Sequence, residues 1–203
     1  MRYLLPILLG YLLGCSNLAY YISRYQKKDL RAGGSGNLGA SNATVLLGWR
    51  AGVAVAIHDI GKAALAVLLA KLLWPETEFA GAAAGVAAVY GHIFPFYLKF
   101  KGGKGLASFW GMTVALNWKL GLIAGIVIIL ATIITDFIVI GTFSTIALVP
   151  AYTGLILANW ILALIVFLAS AIIFYKHWEN IGRLIRKEEL GLRSAIRGDN
   201  RMK

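Results

Sequence analysis

Long apolar runs alternate along the chain with short segments that are basic and rich in glycine. The first run covers residues 3–23, the second 51–74, the third 79–98 with Pro95 near its end, and the last 154–175. Each is close to the roughly 20 apolar residues that a helix needs to cross a bilayer. From Gly105 to Thr153 the chain is mostly apolar, interrupted only at Asn117-Trp118-Lys119 and at Thr135-Asp136. Two polar interruptions predict two turns, and therefore three spans of about 16 residues, short for a bilayer.

The pattern predicts an all-α integral membrane protein. Of 203 residues, 59% are hydrophobic and 14% charged, where a soluble domain carries about 25% charged residues. A bilayer is the solvent that tolerates the deficit. Residues 1–22 have the look of a signal peptide, and Leu12-Leu13-Gly14-Cys15 resembles a lipoprotein cleavage box. The run continues past Cys15 through Leu18, Tyr20, Tyr21 and Ile22 into a basic cluster, so a retained span is expected. Cys15 is the only cysteine, which excludes an intrachain disulfide and a cysteine-based metal site. No metal or cofactor is expected.

The net charge of +11 does not point to nucleic acid, because the cations sit between apolar runs. They read as orientation charge. Arg24, Lys27, Lys28, Arg31 and Arg50 flank the first connection, and Lys99, Lys101 and Lys104 follow the third span. Lys176, Arg183, Arg186, Lys187, Arg193, Arg197, Arg201 and Lys203 fill the tail. Placing all three groups in the cytoplasm puts the acidic connection at Glu76 and Glu78 outside. This sidedness needs an odd number of spans after Gly105. The expectation is seven transmembrane helices, N-terminus outside and C-terminus cytoplasmic, in a single membrane domain over 1–203. Residues 176–203 are expected as a basic tail helix continuing the last span. Five spans would preserve the same sidedness.

Three segments carry candidate chemistry. In Gly34-Ser35-Gly36-Asn37-Leu38-Gly39-Ala40-Ser41-Asn42, glycines allow backbone amides to converge on an anion while Ser35, Asn37 and Asn42 add donors. A capped turn is the structural alternative. In Lys99-Phe100-Lys101-Gly102-Gly103-Lys104-Gly105, lysine among glycines before a helix start suits phosphate, with Lys99 and Lys101 read as orientation charge. In Lys176-His177-Trp178-Glu179-Asn180-Ile181-Gly182-Arg183-Leu184, helical spacing puts His177, Asn180 and Leu184 on one face and pairs Glu179 with Arg183. His177 is a candidate general base or a donor to phosphate. Within the second span, Asp59 and Lys62 are three residues apart, either a packing pair or, at Lys62, a ligand contact. The two glycine segments echo one another weakly, as in an internal repeat of a transporter.

Taken together, Gly34-Ser35-Gly36-Asn37, Lys101-Gly102-Gly103-Lys104-Gly105 and His177-x-Glu179-Asn180-Ile181-x-Arg183-Leu184 resemble the three motifs of the bacterial acyl-phosphate:glycerol-3-phosphate acyltransferase family (PlsY). Asp59-x-x-Lys62 and Gly91-His92-x-Phe94-Pro95 match in order and spacing, and the resemblance covers essentially the whole chain. It implies a seven-helix membrane enzyme that makes lysophosphatidate from an acyl phosphate and glycerol 3-phosphate at the cytoplasmic face. It implies phosphate binding by Ser35, Gly36, Asn37, the Gly102 and Gly103 amides and Lys104. His177 and Asn180, with Ser35, are implied as catalytic; Asp59, Glu179 and Arg183 are read as structural. The chain departs from the family at Val45, where an arginine is usual, and near Asp136 and Val139, where a basic residue and a serine are expected. These positions concern the acceptor, for which Arg50, Lys62 and Asn42 are the substitutes considered. The expected partners are acyl phosphate, glycerol 3-phosphate and membrane lipid, with the protein a monomer. The rival readings are a transferase with another hydroxyl acceptor and an anionic-lipid transporter.

Overall fold

The computed structural model describes residues 1–197. Arg201 and Lys203 lie outside the described residues, as does the side chain of Arg197. Every regular element among the described residues is helical: α1 (Leu4–Cys15), α2 (Leu18–Tyr25), α3 (Ala40–Leu47), α4 (Trp49–Leu73), α5 (Ala80–Ile93), α6 (Leu106–Leu116), α7 (Trp118–Thr135), α8 (Ile138–Leu155), α9 (Trp160–Lys176), α10 (Trp178–Ile185) and α11 (Leu192–Arg197). Five segments are long and apolar enough to cross a membrane: Leu4–Tyr25, Trp49–Leu73, Ala80–Leu98, Trp118–Thr135 and Ile138–Leu155. The pair α9 and α10 qualifies together but is bent by 46°. Helix α6 is apolar and has only 11 residues.

The apolar stretch after Gly105 does hold three helices, divided at the two polar interruptions. Asn117 ends α6, and its Oδ1 accepts from the Leu120 N–H at 3.1 Å, which caps the start of α7. Asp136 takes a left-handed conformation, φ 71°, between α7 and α8. The tail differs from one continuous helix. It bends at His177 and leaves helical geometry between Ile185 and Leu192.

The chain forms two compact units, Met1–Gly121 and the part from Leu122 onward. In the first, α5 is the central element and is rich in alanine and glycine. Helices in lipid gain little from the hydrophobic effect between them, so close backbone approach takes its place. Gly10 and Gly14 on α1 supply that approach. A Cβ at Gly10 would lie 2.0 Å from the Ala84 carbonyl oxygen, and one at Gly14 would lie 2.1 Å from that of Ala88. Gly111 on α6 sits as closely on the Ile60 carbonyl of α4.

The first span is broken at Ser16-Asn17, where Asn17 Oδ1 accepts from Tyr20 N–H at 2.8 Å and starts α2. The break leaves a Ser16 carbonyl without its helical donor, and this carbonyl accepts from Lys62 instead. In the second unit, Gly141 of α8 packs against the Ile128 carbonyl of α7, and Gly154 against the Trp160 ring at the start of α9. Leu122, Ile126, Ile129 and Ile133 of α7 are exposed at helical spacing, the face suited to acyl chains.

Candidate active site

The first unit holds both glycine-rich segments. A 3-10 turn at Leu30–Ala32 leads into the first. Asp29 caps this turn, and its carboxyl is held below the ordinary carboxylate value by the Arg31 N–H and then by the Arg31 side chain. Asn42, at the start of α3 and 1% exposed, organises the loop from inside. Its Nδ2 donates to the carbonyls of Leu30 at 2.8 Å and Asn37 at 2.9 Å, and its Oδ1 accepts from Ser35 N–H at 2.9 Å. The amide capacity is thereby spent on the loop. Asn42, considered from sequence for the acceptor, ties the loop together from within. Gly34 and Gly36 take positive φ, 59° and 67°, which glycine adopts without a Cβ clash. Half-buried Ser35 accepts at Oγ from Asn37 Nδ2 at 2.8 Å, so its hydroxyl proton can be directed to an anion.

The second glycine segment folds back on the end of α5. Gly102 N–H donates to the Ile93 carbonyl at 3.0 Å, and Gly103 N–H to the His92 carbonyl at 3.1 Å. The two amides expected to hold phosphate thus satisfy carbonyls that the helix end would leave orphaned. The glycines are needed for contact. A Cβ at Gly102 would stand 2.0 Å from the His92 carbonyl oxygen, and one at Gly103 would stand 2.1 Å from His92 Nε2. Leu38 N–H donates to the Gly102 carbonyl at 3.4 Å, which sets the two glycine segments side by side. Lys104, half-buried, follows directly, and Gly105 at φ 99° starts α6. The positive end of that helix adds to the lysine charge.

Beneath this loop lies a buried ionic cluster. Lys62 Nζ donates to the Ser16 carbonyl at 2.6 Å and lies 2.8 Å from Asp59 Oδ1 and 2.9 Å from His92 Nδ1. Three polar groups thus enclose the ammonium, and the residue is 6% exposed. Lys62 is occupied within the helix bundle by these partners. Asp59 Oδ1 also faces His92 Nδ1 at 3.3 Å and His58 Nδ1 at 3.4 Å, and His58 Nε2 meets Ser16 Oγ at 3.0 Å. The cluster fixes His92, and His92 supports Gly103. Of the substitutes for an acceptor cation, Arg50 alone is exposed, its guanidinium 5.6 Å from the centre of the Trp49 ring. Val45 lies half-buried on α3.

The second unit carries His177 and Asn180, both 7% exposed. His177 sits in the bend between α9 and α10. Its Nδ1 is 2.8 Å from the Ile173 carbonyl oxygen. A carbonyl only accepts, so Nδ1 bears the proton. The ring packs edge-on against Phe143, centroids 6.2 Å apart. The Glu179–Arg183 pair is marginal, 4.0 Å with Glu179 84% exposed. Arg183 instead pairs with Glu189 at 2.8 Å, and Asn180 Nδ2 donates to the same carboxylate at 2.6 Å. No sequence pattern announced Glu189, which follows a non-helical turn. Asp136 and Val139, the other departures, are respectively a partner of the tail and a buried core residue.

The glycerol-3-phosphate acyltransferase family model matches residues 4–187. The chain is 36% identical to glycerol-3-phosphate acyltransferase 1 of Oceanobacillus iheyensis, covering 97% of this chain and 98% of that protein. It is similar to two crystal structures of PlsY (YgiH), an integral membrane glycerol 3-phosphate acyltransferase. The glycerol 3-phosphate form matches with TM-score 0.87 at 28% identity, over 94% of this chain and 96% of that one. The lysophosphatidic acid form matches with TM-score 0.82 at 27% identity, over 97% and 99%. With its glycine-rich segments, its histidine-bearing bend and nearly its whole length matched, the chain belongs to the glycerol-3-phosphate acyltransferase family.

Proposed function

We propose that this chain transfers a fatty acyl group from acyl phosphate to glycerol 3-phosphate, releasing lysophosphatidate and inorganic phosphate in phospholipid synthesis. Family membership over the whole chain carries the acceptor, supported by similarity to a protein captured in glycerol 3-phosphate and lysophosphatidic acid forms. The donor rests on chemistry. An acyl phosphate is a mixed anhydride whose leaving group needs little assistance, so positioning and charge stabilisation suffice. No serine–histidine–acid arrangement is found among the described contacts, which fits direct transfer.

In this reading the acceptor hydroxyl attacks the acyl carbonyl carbon. The new C–O ester bond forms as the acyl C–O bond to phosphate breaks, and the hydroxyl proton passes to His177 Nε2 and on to the departing phosphate. The Nδ1 contact with the Ile173 carbonyl supports this by holding the tautomer whose Nε2 accepts. Lys104 and the Ser35 hydroxyl hold the leaving phosphate, Asn37 orients Ser35, and Gly36 gives room for the anion. Gly102 and Gly103 shape the loop. Asn180 binds at the reacting centre, and Arg50 offers the exposed cation for an acceptor phosphate.

We place the N-terminus outside and the C-terminus in the cytoplasm of a bacterial cytoplasmic membrane, with seven crossings. The segments of α1 with α2, α4, α5, α6, α7, α8 and α9 supply them, α6 being the short one. All three basic segments then share the cytoplasmic side with the site. The protein acts as a monomer. Cysteine labelling from each face, with single cysteines at Glu76 and Lys187 in a cysteine-free background, tests this. Labelling of both from one side contradicts the arrangement. A second reading, transfer to another hydroxyl acceptor, is favoured specifically by Val45. Comparing glycerol 3-phosphate with glycerol and other polyol phosphates separates the two. Turnover with glycerol 3-phosphate no better than with the others supports the second.

A further inference from the structure

We infer that the exposed tip Lys99-Phe100-Lys101 captures the acyl phosphate donor at the membrane surface and passes its phosphate to the adjoining glycine loop. The inference rests on the acyltransferase reading with acyl phosphate as donor. The tip is built against backbone preference. Lys99 and Phe100 take consecutive left-handed conformations, φ 55° and 58°, in which a Cβ crowds the following carbonyl oxygen. Hydrogen bonds on both sides hold them there. Leu98 N–H and Phe100 N–H both donate to the Pro95 carbonyl, at 3.0 and 3.1 Å, and Lys101 N–H donates to that of Leu98 at 3.2 Å. Leu98 is itself 4% exposed and belongs to the same buried cluster as Leu38 of the first glycine segment.

This mount turns three side chains outward. Phe100 is 58% exposed, and Lys99 and Lys101 are exposed on either side of it. Orientation charge accounts for the two lysines. It does not account for the phenylalanine between them, nor for the unfavourable backbone that presents it.

The surroundings define the chemistry of the ligand. Phe96 and Tyr97 are also exposed, and Tyr97 is tied to α2 through Tyr21, hydroxyl to hydroxyl at 3.2 Å. Exposed aromatic rings beside lysines suit the boundary between acyl chains and headgroups. No acidic residue occurs between Glu78 and Asp136, and neither Lys99 nor Lys101 has an ion-pair partner among the described residues. The tip thus fits an apolar tail that carries an anionic head. Bulk anionic phospholipid shares this chemistry, and position favours the donor. Lys101 is followed directly by Gly102, Gly103 and Lys104, and three residues of chain span at most about 10 Å. A phosphate met at Lys101 is therefore within short reach of the lysine assigned to hold it as leaving group.

The test compares wild type with Lys99→Gln/Lys101→Gln in phosphatidylcholine vesicles. Initial rates are taken across palmitoyl phosphate concentrations, at saturating glycerol 3-phosphate and several salt concentrations. The variant is expected to lose about tenfold in kcat/KM at low salt, with kcat and Tm retained. The gap should close at high salt, where exposed charges are screened. Taking the ratio of variant to wild type at each salt concentration cancels any effect of salt on donor partitioning. Lys99→Arg/Lys101→Arg is expected to restore the wild-type value, and Phe100→Ser to raise KM at unchanged kcat. Unchanged kcat/KM in either the glutamine variant or Phe100→Ser, with wild type active, overturns this inference alone. So does a fall in kcat at unchanged KM, which places the lysines in the chemical step. A deficit confined to vesicles containing phosphatidylglycerol assigns the tip to bulk anionic lipid and overturns it too. No turnover of palmitoyl phosphate by folded wild type overturns the acyltransferase reading and this inference together.

Discussion

Gly102→Ala tests the packing of the second glycine loop on α5. An alanine Cβ would lie 2.0 Å from the His92 carbonyl oxygen, 2.7 Å from Pro95 Cδ and 3.0 Å from the Ile93 carbonyl oxygen. Two of these are backbone atoms at a helix end and the third is a proline ring, so none is a flexible tip that can turn away. The loop itself must rise by about 1 Å to reach permitted contact. That displacement weakens three backbone hydrogen bonds, Gly102 to Ile93, Gly103 to His92 and Leu38 to Gly102. At about 1 kcal/mol each, discounted because the loop can partly relax, the loss is about 2 kcal/mol. For a protein of this size that lowers Tm by about 4–8 °C. Lys104 moves with the loop, and a misplacement of 1 Å costs on the order of 10²-fold in rate. The assay is phosphate release from palmitoyl phosphate by purified protein in lipid, alongside a thermal melt. Wild-type kcat/KM in Gly102→Ala would refute the claim that the glycine is required for close approach.

Three further substitutions probe other parts of the site. Lys62→Met removes the cation that faces Asp59 Oδ1 at 2.8 Å, and leaving that buried carboxylate uncompensated costs about 3–5 kcal/mol. Tm should fall steeply and recover largely in Lys62→Met/Asp59→Leu; an unchanged melt for the single variant would show that the pair is not needed. Asn42→Ala strips the first loop of its internal tie to Leu30, Ser35 and Asn37. It is expected to raise the KM for acyl phosphate at least tenfold, read by initial rates across donor concentrations, and an unaltered KM contradicts the scaffold role. His177→Gln removes the only ring nitrogen assigned to proton transfer. It should lose most turnover, about 10²-fold or more, in the same phosphate assay, and turnover near wild type discards His177 as the base.

The sequence made the helices legible wherever apolar length and polar punctuation coincided. Asn117 and Asp136 divided the long stretch after Gly105 because each offers turn chemistry in an otherwise apolar run. The break at Ser16-Asn17 was hidden, since apolar residues continue on both sides and only the cap made by Asn17 reveals it. The seam of Gly10 and Gly14 could have been read from its four-residue spacing, the signature of close helix packing in lipid. Residue types pointed to the glycine segments and His177 but could not say where their amides go. Gly102 and Gly103 read as phosphate donors because glycine beside lysine looks alike whether its N–H faces an anion or a helix end. Lys62 and Asn42 were ambiguous for a related reason: a polar side chain shows its partners only after folding, and theirs are backbone carbonyls and buried charges. Glu189 carried no signal, because its meeting with Asn180 depends on a left-handed turn at a lysine, which composition does not announce.

The most direct test of the acyltransferase reading follows both products of one reaction. Purified protein in lipid vesicles is given palmitoyl phosphate, with or without glycerol 3-phosphate, while inorganic phosphate and lysophosphatidate are measured together. The account predicts phosphate release that depends on glycerol 3-phosphate and lysophosphatidate formed in equal amount. Phosphate released at the same rate without glycerol 3-phosphate, or no lysophosphatidate from protein shown to be folded, would contradict it.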